Sequence, residues 1–246
     1  MLAARHGNNQ CLEVLLDHGA LIDKRSKENE TALVFASLDN HYCTAQMLIN
    51  RGCETNVVDE YGFHPILLLC KDPTCLKLML DKGTDPNFVN HSISSTLLGT
   101  LCRGKYSESL CLLLQYNCDF KEYHFRSMFK RCLHQEHYRN VLILLTAAIL
   151  LGVSFSGVRS DFNSCLSHNC LCARIKSWTE YQLSLCPETH KLSHQCRRCI
   201  RDTIRGVNFA KKIKCLPLPQ SLRNYLMLPE LDSLHIDEFD LPSSNN

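Results

Sequence analysis

A short pattern recurs four times along this chain at nearly constant spacing, and it restricts the fold more than any other feature. It reads Val14-Leu-Leu-Asp-His-Gly19, Met47-Leu-Ile-Asn-Arg-Gly52, Met79-Leu-Asp-Lys-Gly83 and Leu112-Leu-Leu-Gln-Tyr-Asn117. The steps from Gly19 to Gly52, from Gly52 to Gly83 and from Gly83 to Asn117 are nearly equal. Other landmarks keep step: Asp23, Asn56 and Asn87 each follow their glycine by four, and Thr31-Ala-Leu-Val-Phe-Ala36 is matched one period later by His64-Pro-Ile-Leu-Leu-Leu69. A period of this length belongs to an array of supersecondary units, none of which can bury its own apolar face without a neighbour. The glycines stand where a helix must stop, because Gly takes the left-handed cap without strain and Asn is the usual second choice. Pro65 fits a first helical turn, where its missing N–H does no harm.

The loop and helix start at Asp59-Glu-Tyr-Gly62-Phe-His-Pro65, with the Leu-Leu and Gly landmarks, resemble the ankyrin repeat. The resemblance covers residues 1 to about 150 and implies an all-α solenoid. After Asn117 the pattern decays, and Phe125–Cys132 with Val141–Ala148 reads as the helix pair of a degenerate repeat. Leu2-Ala-Ala-Arg-His-Gly7 matches the later part of a first helix without the loop and turn that precede one, so a truncated first repeat of a longer form is expected.

The segment 188–228 carries a second constellation. Leu192, Cys196 and Ile200 stand at i, i+4 and i+8, one stripe of a helix that continues to Ile204. Arg197, Arg198, Arg201 and Arg205 fall mostly off the stripe and read as a solvated face. Ile213-Lys-Cys-Leu216-Pro-Leu-Pro219-Gln-Ser-Leu222-Arg-Asn-Tyr225-Leu226 follows. Pro217 and Pro219 fix φ and push their predecessors toward extended geometry, which makes a stiff apolar ledge with little entropy left to lose on binding. Leu222, Tyr225 and Leu226 resume helical spacing. Either half alone is weak evidence; together, in this order and after repeats, they resemble the BC box and cullin box of a SOCS box.

The whole chain thus resembles the ankyrin repeat and SOCS box family: an ankyrin solenoid (1–150), a connector (151–187), a small helical SOCS box (188–228, with BC box 192–204 and cullin box 213–226) and an acidic tail (229–246) expected to be disordered. The resemblance implies a non-catalytic substrate receptor of an elongin B/C–cullin-5–RING ubiquitin ligase, acting in the cytoplasm and also the nucleus. It implies that Leu192, Cys196, Ile200 and Ile204 contact elongin C. Ile213, Leu216, Pro217, Leu218, Pro219, Leu222, Tyr225 and Leu226 would contact cullin-5. A protein target would sit on the ankyrin surface, including the loops Asp23–Glu28, Val57–Tyr61 and Phe88–Ser92, with Lys24, Arg25, Asp59, Tyr61, Phe88 and Asn90 as contacts. The alternative is an ankyrin scaffold without a ligase role.

Other readings are weaker. A net charge of +2 with mixed signs argues against a dedicated nucleic-acid or membrane-surface binder. Arg197 to Lys214 holds seven basic residues and one acid, which reads as a solvated flank. The apolar run Val141–Phe155 falls short of the ~18 residues of a spanning helix and reads as a buried solenoid helix. The 16 cysteines show no framework spacing and Met1–Gly7 no apolar signal core, so reduced, intracellular thiols are expected. Cys165, His168, Cys170, Cys172 and Cys186 match no familiar zinc spacing, and Cys196-x-x-Cys199 lacks a thioredoxin context. No metal or other cofactor is expected.

Overall fold

A computed structural model describes residues 1–90, 95–119, 127–132, 135, 137–151, 200–201, 213–215 and 220–227. The connector at 151–187 lies outside these residues except for Leu151, and so does the whole of the acidic segment at 229–246. The described elements are helical apart from one two-residue antiparallel pairing, β1 (Val89–Asn90) with β2 (Ser95–Thr96), in register Val89↔Thr96. The chain divides into two compact units, one of residues 1–101 and one that begins at Cys102.

In the first unit, short helices alternate: α1 (Leu2–Arg5), α2 (Asn9–Asp17), α3 (Ala32–Leu38), α4 (Tyr42–Asn50), α5 (Ile66–Leu69) and α6 (Pro73–Asp81). α1, α3 and α5 pack in one row, and α2, α4 and α6 in a second. α7 (Leu97–Cys102) follows the β pairing. The buried side chains are those the period selects: Leu33, Val34 and Ala36 on α3, Ala45, Leu48 and Ile49 on α4, and Leu76, Met79 and Leu80 on α6. In the second unit, α8 (Ser107–Gln115) packs against α10 (Tyr138–Leu150), with residues 127–132 (α9) helical between them. Val141, Ile143, Leu144, Ala147 and Ala148 are fully buried, so these positions of α10 are core. Among the described residues no helix is long and apolar enough to cross a membrane.

The helix stops are near-copies of one another. After α2, the Ala20 N–H donates to the Leu15 carbonyl (3.0 Å) and the Gly19 N–H to Leu16 (3.0 Å). Cys53 and Gly52 repeat this pair of bonds after α4, Thr84 and Gly83 after α6, and Cys118 and Asn117 after α8. This is the Schellman arrangement, which satisfies carbonyls the helix would leave orphaned and needs a left-handed residue at its centre. Gly19, Gly52, Gly83 and Asn117 supply it with φ of +82°, +87°, +96° and +60°. The starts of α2, α3 and α6 are capped by side chains: Asn8 accepts from Cys11 N–H, Thr31 from Val34 N–H and Asp72 from Cys75 N–H.

Polar ties about one period apart hold neighbouring repeats in register. Thr44 donates to Asn9 (2.6 Å), the Glu54 N–H to Asp23 (2.8 Å), and Arg51 bridges Asp17 and Glu13. In the second unit Asn140 donates to the Gly104 carbonyl (2.8 Å) and accepts from Ser107 (2.9 Å).

Gly7 and Gly19 separate two roles of glycine. Both have positive φ, but a Cβ at Gly19 would meet nothing within 4 Å, whereas at Gly7 it would lie 2.6 Å from the His41 ring. Gly19→Ala should lose only the left-handed strain, ~1–2 kcal/mol. Gly7→Ala should lose that and a further ~1–3 kcal/mol for overpacking. Urea denaturation of both variants checks this; equal losses would contradict it.

Candidate functional site: repeat loops and the C-terminal module

The loops between repeats are braced by their own hydrogen bonds. Arg25 pairs with Glu54 (2.9 Å) and donates to Asn29 (2.9 Å), while Asn29, left-handed at φ +62°, donates to the Val58 carbonyl (2.9 Å). Asp59 accepts from the N–H groups of Tyr61 (2.9 Å) and Phe63 (2.7 Å). His64 is buried, accepts from Ile66 N–H through Nδ1 (3.1 Å), and packs against Phe88 with ring centroids 4.6 Å apart.

The six residues expected to meet a target are therefore not alike. Lys24, Arg25 and Tyr61 are exposed, Tyr61 to 70%. Asp59 is buried and its carboxylate shapes the loop's own backbone. Phe88 is half-buried, with its ring packed against that of His64. Asn90 lies in β1, and its side chain is outside what the structure describes.

Five of the buried thiols are held protonated. Burial pushes Cys53, Cys70, Cys75 and Cys118 up to about 12. Cys102 is raised first by its hydrogen bond with Cys132 and then by burial. A nucleophile or metal ligand needs the thiolate, so these five are core residues. Cys11, Cys43 and Cys215 are exposed and free, and no metal-holding group of three or more His, Cys, Asp or Glu occurs among the described residues. The cysteines and histidine at 165–186 and the Cys196–Cys199 pair lie outside them.

In the C-terminal module, Leu192, Cys196, Ile204 and Leu216, Pro217, Leu218 and Pro219 lie outside the described residues. Residues 200–201 and 213–215 are helical, and α11 spans Gln220–Leu226. Ile200 is 39% exposed. Ile213 and Leu226, expected to meet a cullin, are 1% and 2% exposed, with their apolar bulk turned into this chain. Leu222 and Tyr225 lie on α11, at positions whose side chains are not described.

Arg201 departs most from expectation. It is not on a solvated face: it is 1% exposed and surrounded by main-chain acceptors. Nη2 donates to the carbonyls of Leu114 (2.6 Å) and Gln115 (3.3 Å), Nη1 to that of Leu226, and Nε to Asn117 Oδ1 (3.3 Å). Asn117 Nδ2 donates back to the Arg201 carbonyl (2.8 Å). Arg carries five donors in a rigid fork and stays charged when buried, so it can fill such a site where Lys cannot. A signal for this site does exist in the sequence: the fourth helix stop is Asn where the other three are Gly.

Residues 188–227 match the family described as the SOCS box, and residues 1–59 match ankyrin repeats. The human ASB11 ankyrin repeat domain superposes with a TM-score of 0.51 at 20% identity, covering 62% of this chain and 68% of that one. An ankyrin repeat domain from Acinetobacter baumannii gives 0.51 at 22% identity, covering 62% and 80%. Among curated proteins, the putative ankyrin repeat protein FPV222 of fowlpox virus is 32% identical over 124 residues, 48% of this chain and 16% of that protein. The putative ankyrin repeat protein YahD of Escherichia coli is 32% identical over 91 residues, 36% of this chain and 45% of that protein. The matches thus span less than half the length of these curated relatives.

Proposed function

This chain is an ankyrin-repeat protein with a C-terminal SOCS box, and from that premise we propose that it is a non-catalytic substrate receptor of an elongin B/C–cullin–RING ubiquitin ligase inside the cell. The carrying observation is the order of modules: an ankyrin fold followed by a SOCS box at 188–227, in which Ile200 is exposed beside an anchored Arg201. Leu192, Cys196, Ile200 and Ile204 form the apolar stripe offered to elongin C. Leu216, Pro217, Leu218, Pro219, Leu222 and Tyr225 meet the cullin, with cullin-5 the expected partner. Ile213 and Leu226 flank these residues in sequence and are buried in this chain. Lys24, Arg25 and Tyr61, on braced loops, offer a polar and aromatic surface to a protein target.

The chemistry is proximity. A receptor raises the local concentration of target lysines near an ubiquitin-loaded enzyme held by the RING protein, an effective-molarity effect that asks no side chain of this chain to react.

Coexpression with elongins B and C and cullin-5 tests the division of the box. Changing residues 216–219 to alanine should leave elongin capture intact and reduce cullin-5 capture at least ~10-fold, since each apolar anchor lost is worth ~1.5–3 kcal/mol. Full cullin-5 capture by that variant would refute the assignment.

A further inference from the structure

The fourth helix stop uses Asn117, although glycine serves the same left-handed turn at Gly19, Gly52 and Gly83. An asparagine there is strained relative to glycine, so its side chain must supply something the other stops do not require. The structure shows what: Oδ1 accepts from Arg201 Nε and Nδ2 donates to the Arg201 carbonyl, so the amide grips both ends of one residue 84 positions later in the chain. The guanidinium meanwhile reaches the carbonyls of Leu114 and Gln115 in the last turn of α8, and that of Leu226 at the end of α11. A cation at a helix C-terminus is favoured by the helix dipole, and the more so when buried. One arginine thus joins the end of a repeat helix to the end of the SOCS-box helix.

We infer that Asn117 and Arg201 form a latch that fixes the SOCS box on the C-terminal turn of α8 and so sets the direction in which the box presents its elongin-binding stripe. This inference rests on the receptor reading above and adds a positioning pair to it. Ile200 and Arg201 are adjacent, so holding Arg201 inside determines where the exposed Ile200 can face. Proximity chemistry needs such a fixed direction, because effective concentration falls when the connection between two bound modules loosens.

Asn117→Gly is the informative variant: it keeps the left-handed turn, relieves its strain and deletes only the amide. Arg201→Lys removes the fork while keeping the charge. Asn117→Asp keeps an acceptor for Nε and tolerates positive φ. The full chain, free and bound to elongins B and C, is followed by hydrogen exchange and by small-angle scattering of the complex. Asn117→Gly should speed amide exchange over 220–227 about 10-fold, the equivalent of its lost buried hydrogen bonds, with α2–α6 unchanged. Arg201→Lys should do at least as much, and Asn117→Asp should restore part of the protection. Elongins should still co-elute one to one, while the scattering of the Asn117→Gly complex broadens toward larger dimensions, which a stabilising contact with no orienting role would not produce. Wild-type exchange over 220–227 in both Asn117→Gly and Arg201→Lys, or superimposable scattering, overturns the latch. Failure of the wild-type chain to bind elongins, with exchange still responding, overturns the receptor reading and with it the orienting role, leaving only an intramolecular clasp.

Discussion

Ile200→Asp should leave the chain folded and abolish its complex with elongins B and C. Ile200 is 39% exposed, and substitutions at such positions usually change stability by no more than ~0.5 kcal/mol. In the proposed complex the same side chain is covered by elongin C, where an unpaired carboxylate would be stripped of water at a penalty of several kcal/mol. Each ~1.4 kcal/mol is tenfold in affinity, so a loss of at least ~100-fold is expected. Isothermal titration with the elongin B/C dimer measures it, and the urea midpoint of the variant controls for folding. Near-wild-type affinity would remove Ile200 from the interface, and with it the register of the Leu192, Cys196, Ile200 stripe.

Acid should weaken the ankyrin unit through His64. Its Nδ1 accepts the Ile66 N–H, which only an unprotonated nitrogen can do, and burial lowers its pKa from 6.5 to about 4. Between these values the unfolded chain binds a proton at this position that the folded chain refuses, so stability falls as pH falls. The contribution is fully present above pH 6.5, about 2 kcal/mol is lost by pH 5, and the loss approaches ~3 kcal/mol near pH 4. His64→Thr separates this from other titrations. Thr31 holds the equivalent position one repeat earlier, and its hydroxyl caps α3 by accepting from Val34 N–H, without titrating in this range. Between pH 7 and pH 5 the wild type should lose about 2 kcal/mol more than His64→Thr, as read from urea midpoints. Parallel pH dependence in the two proteins would assign the acid sensitivity elsewhere.

The repeat was legible because its determinants are local. A helix stop is decided within a few residues, so Gly19, Gly52, Gly83 and Asn117 announce left-handed caps in the sequence, and all four have positive φ in the structure. The apolar stripes on α4, α6 and α8 follow from the same short-range period. What was not legible is which apolar or charged side chain turns inward in a small module. Ile213 and Leu226 fit a binding ledge by pattern, yet both are buried, because periodicity defines a face without saying whether a partner or the chain itself covers it. Asp59 reads as a loop carboxylate open to a partner, but two backbone N–H groups of its own turn claim it. Arg201 escapes a local reading for a different reason. Its partners Leu114 and Asn117 lie 87 and 84 positions earlier in the chain, and no local pattern connects them. The substitution of Asn for Gly at the fourth stop is the trace of that contact in the sequence.

The proposed receptor role requires elongins B and C to bind at 188–227. Native mass spectrometry of the full chain coexpressed with elongins B and C tests it most directly. The account predicts one dominant species with one copy of each of the three proteins, which persists on dilution to nanomolar concentration. A spectrum in which the intact, folded chain appears only by itself, beside a separate elongin B/C dimer, would contradict it.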